Sequence, residues 1–299
     1  MDDSRKVTAE MVRDASKRIA GLVERTALIE SEVAGKRLWL KCECSQTGGA
    51  FKLRGASNRL LQLSDEQRAG GVVAFSSGNH ARGVAIAARR LGIRAIIVMP
   101  ADAPLVKVEG TRSEGAEIIF FDRRSESREE ISERIAEETG ATIVPSFDDP
   151  AIVAGQGTVG IEIVEQLGAA PSRIIVPCGG GGLASGIALA VPGADIFIVE
   201  PDGWDDMARS LEAGEIIAVP ADAPDTYCDA LQTMRVSPIT LGILIARRAT
   251  ALSVSDGQVA DAVRFAWDKH RLVVEPGGAV ALAALLAGKA ENLAETVVV

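Results

Sequence analysis

The chain is poor in cysteine, almost without histidine and short of positive charge, and each shortage closes off a class of function. Four cysteines in 299 residues are too few for a disulfide framework. Two histidines cannot build a histidine cluster around a metal. Asp and Glu outnumber Lys and Arg by 41 to 32, a formal net charge of -9. Nucleic acid is gripped by clustered Lys and Arg, so it is not expected as a partner. No window reaches the roughly 18 uninterrupted apolar residues of a membrane span. The opening Met1-Asp2-Asp3-Ser4-Arg5-Lys6 has no apolar core of a secretory signal. A reduced, cytoplasmic protein with no membrane partner is the expectation. Fixed-period repeats and low-complexity tracts are also missing.

What remains is ample apolar material. A hydrophobic share of 47% fills a sizeable core, and the length suits two lobes or one large α/β body. An amphipathic helix is expected from Thr8 to Val23. Apolar, β-rich runs then recur at Gly71–Phe75, Arg94–Met99, Ala116–Phe121, Ala141–Val144, Arg173–Pro177, Asp195–Val199 and Ala251–Val254. Helix-length stretches such as Gly78–Leu91, Ser127–Glu138 and Pro150–Leu167 lie between them. Short apolar strands separated by helices describe open, twisted, mostly parallel sheets covered on both faces. Polar breaks near Gly70 and at Asp148-Asp149-Pro150 suggest a small domain over 71–148. The large domain then combines 1–70 with 149–299.

Two segments invite readings that fail. Cys42 and Cys44 lie on what reads as a strand, Arg37–Cys44, where alternate residues share a face. No second thiol pair follows, so buried strand cysteines are expected rather than a metal site. Gly155-Gln156-Gly157-Thr158-Val159-Gly160 matches the dinucleotide fingerprint in letters. That fingerprint needs a strand directly before it, whereas Asp149–Ala154 reads as a helix start.

Three segments carry chemistry. In Gly49-Ala50-Phe51-Lys52-Leu53-Arg54-Gly55-Ala56, Lys52 sits where a lysine is set up to react, at the opening of a helix beside other positive charge. An ordinary lysine holds its proton until pH ~10.4; one in that setting loses it more readily and can form a Schiff base. In Val176-Pro177-Cys178-Gly179-Gly180-Gly181-Gly182-Leu183, four glycines between strand and helix let backbone N–H groups surround a phosphate. In Ser76-Ser77-Gly78-Asn79-His80, hydroxyls and amides at another helix start suit a carboxylate.

Together with Val274-Glu275-Pro276-Gly277-Gly278-Ala279, these segments resemble the pyridoxal-phosphate enzymes of the tryptophan-synthase β fold. Within that fold they are similar to the threonine/serine dehydratase and serine racemase branch. The resemblance covers essentially the whole chain, with the motifs in order. It implies a fold type II architecture with pyridoxal 5'-phosphate bound to Lys52 and Phe51 beside its ring. Asn79 would contact the ring's 3′ oxygen, and Glu275 would stand near the ring. Gly179, Gly180, Gly181, Gly182 and Leu183 would hold the phosphate. Ser76, Ser77, Gly78, Asn79 and His80 would surround the substrate carboxylate.

The resemblance also implies Mg²⁺ or another divalent cation on Glu200, the carbonyl of Trp204 and Asp206, oxygens that suit a hard cation. A homodimer is expected as in relatives. The family continues past its final strand into a Ser-Gly-Gly-Asn segment whose serine meets the pyridine nitrogen. The sequence ends at Thr296-Val297-Val298-Val299, so that partner stays open. The expected reaction is α,β-elimination from a small β-hydroxy-α-amino acid of the threonine, serine or 3-hydroxyaspartate type, giving a 2-oxo acid and ammonia. Racemisation by Lys52 and Ser77 on opposite faces is the alternative. A non-catalytic module that binds phosphate ligands is the alternative of another class. Thr226–Gln232 is expected near the site, where it would set substrate preference.

Overall fold

The structure, a computed structural model, describes residues 5–76, 78–290 and 295–299. The first part runs α1 (Ala9–Arg18), β1 (Leu28–Val33), β2 (Lys36–Lys41), α2 (Lys52–Leu60), α3 (Asp65–Gly70), β3 (Val72–Phe75), α4 (Asn79–Leu91) and β4 (Ala95–Pro100). Then come α5 (Leu105–Arg112), β5 (Glu117–Phe121), α6 (Arg128–Thr139), β6 (Thr142–Ile143), α7 (Pro150–Leu167), β7 (Arg173–Pro177) and α8 (Gly182–Ala190). The last part holds β8 (Asp195–Pro201), α9 (Asp206–Ala213), α10 (Pro238–Ala246), β9 (Thr250–Val254), α11 (Asp256–His270), α12 (Pro276–Leu286) and β10 (Thr296–Val298).

Two sheets result. One has six strands in the order β1-β2-β10-β7-β8-β9, and only the β1–β2 pair is antiparallel. The other has four parallel strands in the order β5-β4-β3-β6. Every residue of β4 is buried, as are Ile174, Ile175 and Val176 of β7. That continuous burial is why these strands read as unbroken apolar runs rather than alternating ones.

Helix starts follow local chemistry. Asp149 caps α7 by accepting from the N–H groups of Ala151 and Ile152, and Pro150 fills the first position, which needs no donor. The three glycines of the false fingerprint lie inside α7 and let other backbones approach. A Cβ on Gly155 would stand 2.6 Å from Cα of Gly55 in α2, and one on Gly157 would stand 2.6 Å from the carbonyl oxygen of Gly186 in α8. The segment is a packing surface with no strand before it.

Two expectations change, and one strand is additional. The first helix begins at Thr8, whose hydroxyl accepts from Met11 N–H, but ends at Arg18, and Ala20 and Val23 then form an isolated bridge. Cys42 and Cys44 do not share a strand. β2 stops at Lys41, and a 3-10 turn over Glu43–Ser45 follows, leaving Cys42 buried and Cys44 half-buried. The turn is drawn inward by Glu43, whose buried carboxylate meets Arg54. β1 carries no apolar run because it is an edge strand, with Glu30 and Glu32 exposed and Ser31 buried.

Candidate active site

Loops at the carboxyl ends of parallel strands from both sheets open into one cleft of about 1390 Å³. It brings together Phe51, Lys52, Ser76, Gly78, Asn79, His80, the four glycines 179–182, Leu183 and Glu275. Crevices at strand carboxyl ends are where open α/β sheets bind ligands, because helix N-termini converge there. Ser77 lies outside the described residues.

Lys52 is the first residue of α2. Its ammonium donates to the carbonyl of Ser146 at 3.2 Å and stands 5.2 Å from the centroid of the Phe51 ring. Burial lowers its pKa to about 8, and the nearby Glu275 carboxylate opposes the shift without cancelling it. A substantial share of the amine is therefore neutral, and nucleophilic, near physiological pH. The sequence points to positive neighbours as the cause; the structure assigns the shift to desolvation instead.

Beyond β3, the loop through Ser76 and Gly78 enters α4, with the Gly78 N–H bonded to the Ser76 hydroxyl at 3.2 Å. Asn79 donates through its side-chain amide to Glu275, the residue preceding α12. Glu275 has its pKa raised by burial, against the lowering effect of that hydrogen bond. His80 turns away from bulk water and bonds the carbonyl of Val144 at 2.8 Å through Nε2, so Nε2 carries the hydrogen. Burial and the charge of Lys52 push its pKa down to about 3, which keeps the ring neutral, and its Nδ1 is buried without a partner.

The glycine loop passes between β7 and α8 with no room for side chains. A Cβ on Gly180 would lie 2.2 Å from the ring of Phe147, and one on Gly181, held at φ +81, would lie 2.5 Å from the Met207 methyl. The amides and the positive end of α8 therefore face the cleft unobstructed. A phosphate-bearing cofactor fits this cradle, and Lys52 lines the same cleft.

Of the expected cation residues, Glu200 and Asp206 are not among those lining the cleft. Glu200, at the end of β8, is fully buried and accepts from the N–H groups of Met207 at 2.9 Å and Ala208 at 2.8 Å. Burial lifts its pKa to about 8. Asp206 is also fully buried, neither carboxylate oxygen has a hydrogen-bond partner, and burial lifts its pKa to about 7. Trp204 lines the cleft and donates through Nε1 to the carbonyl of Pro224 at 2.8 Å. Among the described residues no group of three or more His, Cys, Asp or Glu side chains is placed to hold a metal.

Several cleft residues escaped the sequence reading. Ser146 and Phe147 sit between β6 and α7 and touch Lys52 and the glycine loop, yet nothing in their spacing marks them. Lys107, on α5, pairs with Asp229. Of the stretch 226–232, residues Asp229 to Gln232 line the cleft, while Thr226 and Tyr227 instead bond Asp256. Val298 and Val299 line it too.

The sequence profile of a family described as "Pyridoxal-phosphate dependent enzyme" matches residues 19–299. The chain belongs to this family. As a pyridoxal-phosphate dependent enzyme it resembles the L-threo-3-hydroxyaspartate ammonia-lyase of Pseudomonas sp, with 42% identity over 279 residues, 91% of this chain and 86% of that protein. Maize serine racemase superposes with a TM-score of 0.92 at 40% identity, covering 98% of this chain and 92% of that one. A threonine deaminase from T.th. gives 0.89 at 40% identity, covering 97% of this chain and 96% of that one. No helix among the described residues is long and apolar enough to cross a membrane.

Proposed function

We propose that this pyridoxal-phosphate dependent enzyme is an ammonia-lyase that removes water from a small β-hydroxy-α-amino acid of the threonine, serine or 3-hydroxyaspartate type. The observation that carries the reading is Lys52: a half-buried amine whose pKa desolvation lowers to about 8, in the cleft that also contains the glycine cradle. Two relatives named as a 3-hydroxyaspartate ammonia-lyase and a threonine deaminase support the reaction class.

The roles follow from position. The amides of Gly179 to Gly182 and Leu183 at the start of α8 hold the cofactor phosphate, and Phe51 packs beside the ring. Bound there, the cofactor supplies a conjugated electron sink for the pair left when the Cα–H bond breaks. Lys52 Nζ, neutral for a useful fraction of the time, accepts that Cα proton. Ser76, Ser77, Gly78, Asn79 and His80 at the start of α4 hold the substrate carboxylate, and neutral His80 adds no charge of its own. Asn79 and Glu275, bonded to each other, face the ring edge. The substrate's β-hydroxyl leaves as water with the proton that Lys52 Nζ took from Cα, and addition of one water to the released enamine gives the 2-oxo acid and ammonia.

The test is direct. Protein reconstituted with pyridoxal phosphate is expected to absorb in the visible, lose that band to borohydride and carry the reduced label on Lys52 by peptide mass spectrometry. Lys52→Ala removes label and turnover together. A label on another lysine, or none, ends the proposal and leaves a phosphate-binding module without catalysis. Oxo-acid release from threonine, serine and 3-hydroxyaspartate identifies the substrate.

Likeness to a serine racemase favours a second reading, in which Ser77 returns a proton on the face opposite Lys52. Chiral chromatography of recovered substrate separates the two, because a pure lyase leaves no opposite enantiomer.

The proposal extends to a divalent cation on Glu200, the Trp204 carbonyl and Asp206. Its support is the buried Asp206 carboxylate with two unpartnered oxygens, groups that a hard cation satisfies. Mg²⁺ or Ca²⁺ is expected to raise the melting temperature of the wild type and not that of Asp206→Asn. Residues 71–148, which include all four strands of the smaller sheet, are taken as the small domain, and 1–70 with 149–299 as the large one. A cytoplasmic homodimer completes the reading, its reducing compartment supported by four free thiols.

A further inference from the structure

Lys107 places a cation in the cleft beside the loop that enters α4. Its ammonium is 3.9 Å from the point a Cβ on Gly78 would occupy, beside the loop that enters α4. It reaches from α5, next to the four-stranded sheet, to the carboxylate of Asp229, in the 3-10 turn Asp229–Leu231 that packs against α12. It is also near enough to Glu275 for its charge to be felt there. Both Lys107 and Asp229 line the cleft.

Two of the other cations that line the cleft on the smaller-sheet side are paired with carboxylates of that same region. Arg123 is tied to Asp102 and Arg128 to Glu129, each within the smaller-sheet region. Lys52 is reserved for the cofactor in the reading above. The substrate's α-carboxylate is served by the amides and hydroxyls at the start of α4. A threonine or serine side chain brings no negative charge to match Lys107, whereas 3-hydroxyaspartate brings one. Asp229 is half exposed, so its carboxylate can swing into water and yield the ammonium to an incoming carboxylate.

We propose that Lys107 is a specificity-determining residue: its ammonium, held in waiting by Asp229, receives the distal carboxylate of a dicarboxylic β-hydroxy-α-amino acid. The inference rests on the lyase reading for the reaction and on the loop 76–80 for the α-carboxylate. It makes substrates of the 3-hydroxyaspartate class the preferred ones. A charge-assisted hydrogen bond of this kind discriminates by about 10- to 100-fold, and the loss falls only on substrates that use it.

The experiment compares wild type, Lys107→Met and Lys107→Arg as holoenzymes. In the turnover arm, Lys107→Met is expected to lower the ratio of kcat/KM for 3-hydroxyaspartate over that for threonine by about 10- to 100-fold, and Lys107→Arg to restore most of it. In the binding arm, calorimetry with the unreactive pair succinate and butyrate is expected to show the same loss of preference for the dicarboxylate. A parallel fall for both members of either pair would place Lys107 on the α-carboxylate and overturn the proposal, as would an unchanged ratio. The binding arm decides the role of Lys107 even if no hydroxy amino acid is turned over, an outcome that would count against the lyase reading alone.

Discussion

Arg54 and Lys52 sit two residues apart on α2, the first fully buried and the second half-buried at the cleft, and they illustrate opposite uses of desolvated charge. Arg54 is fully buried but matched. It donates to Glu43 at 2.8 and 2.9 Å and to Glu162 at 2.6 and 3.0 Å. Lys41 completes the set by donating to Glu162 at 2.6 Å, so two cations face two carboxylates. Burial alone would lower the Arg54 pKa, yet the two glutamates outweigh it and raise it. Lys52 receives no such match. Glu275 acts on it at a distance, its ammonium donates to a neutral carbonyl, and the amine titrates at about 8. A matched buried charge stays ionised and fixes geometry; an unmatched one releases its proton more readily.

That contrast can be broken by substitution. Arg54→Met leaves Glu43 and Glu162 buried with only Lys41 between them, and a broken buried pair costs about 3–5 kcal/mol. Urea unfolding measures it, and a loss under about 1 kcal/mol would mean the cluster is not a fastening for α2. The acid limb comes next. His80 titrates at about 3 in the folded chain against an ordinary 6.5, so the unfolded state binds the extra proton between those values. Stability therefore falls as pH drops through that window, by about 1.4 kcal/mol per pH unit from this one group. His80→Gln, which keeps a donor for the Val144 carbonyl, is expected to flatten that limb in pH-dependent unfolding.

The smallest effect has the opposite sign to the first. Lys52→Met removes a charge that the fold does not neutralise, so stability without cofactor at neutral pH is expected to hold or rise by on the order of 1 kcal/mol. For the wild type the sign is the same: folded Lys52 loses its proton near 8, the unfolded lysine near 10.5, and stability rises with pH between them. A Lys52→Met protein as damaged as Arg54→Met would erase the distinction between the two charges.

Much of this was legible in the residues. Four glycines between an apolar run and a helix announce an anion cradle because only glycine clears the space that Phe147 and Met207 occupy. Lys52 before Arg54-Gly55 and Asn79 after Gly78 pointed to two segments that the fold brings into one cleft. Ser146, Phe147, Lys107 and Asp229 left no such trace. Each acts through a contact with a residue distant in the chain, 94 positions away for Ser146 and Lys52 and 122 for Lys107 and Asp229. Cys42 and Cys44 were misread for a related reason: the buried ion cluster ends β2 earlier than its apolar pattern suggests.

Sequence alone determined most of the parallel strands, the helices between them and which glycines stay bare, because those depend on side-chain periodicity and on steric limits within a few residues. Only the tertiary structure decided which charges are matched. Whether a lysine stays an ammonium or becomes a nucleophile depends on the water it loses and on the carboxylates that arrive from elsewhere in the chain, and neither quantity is local.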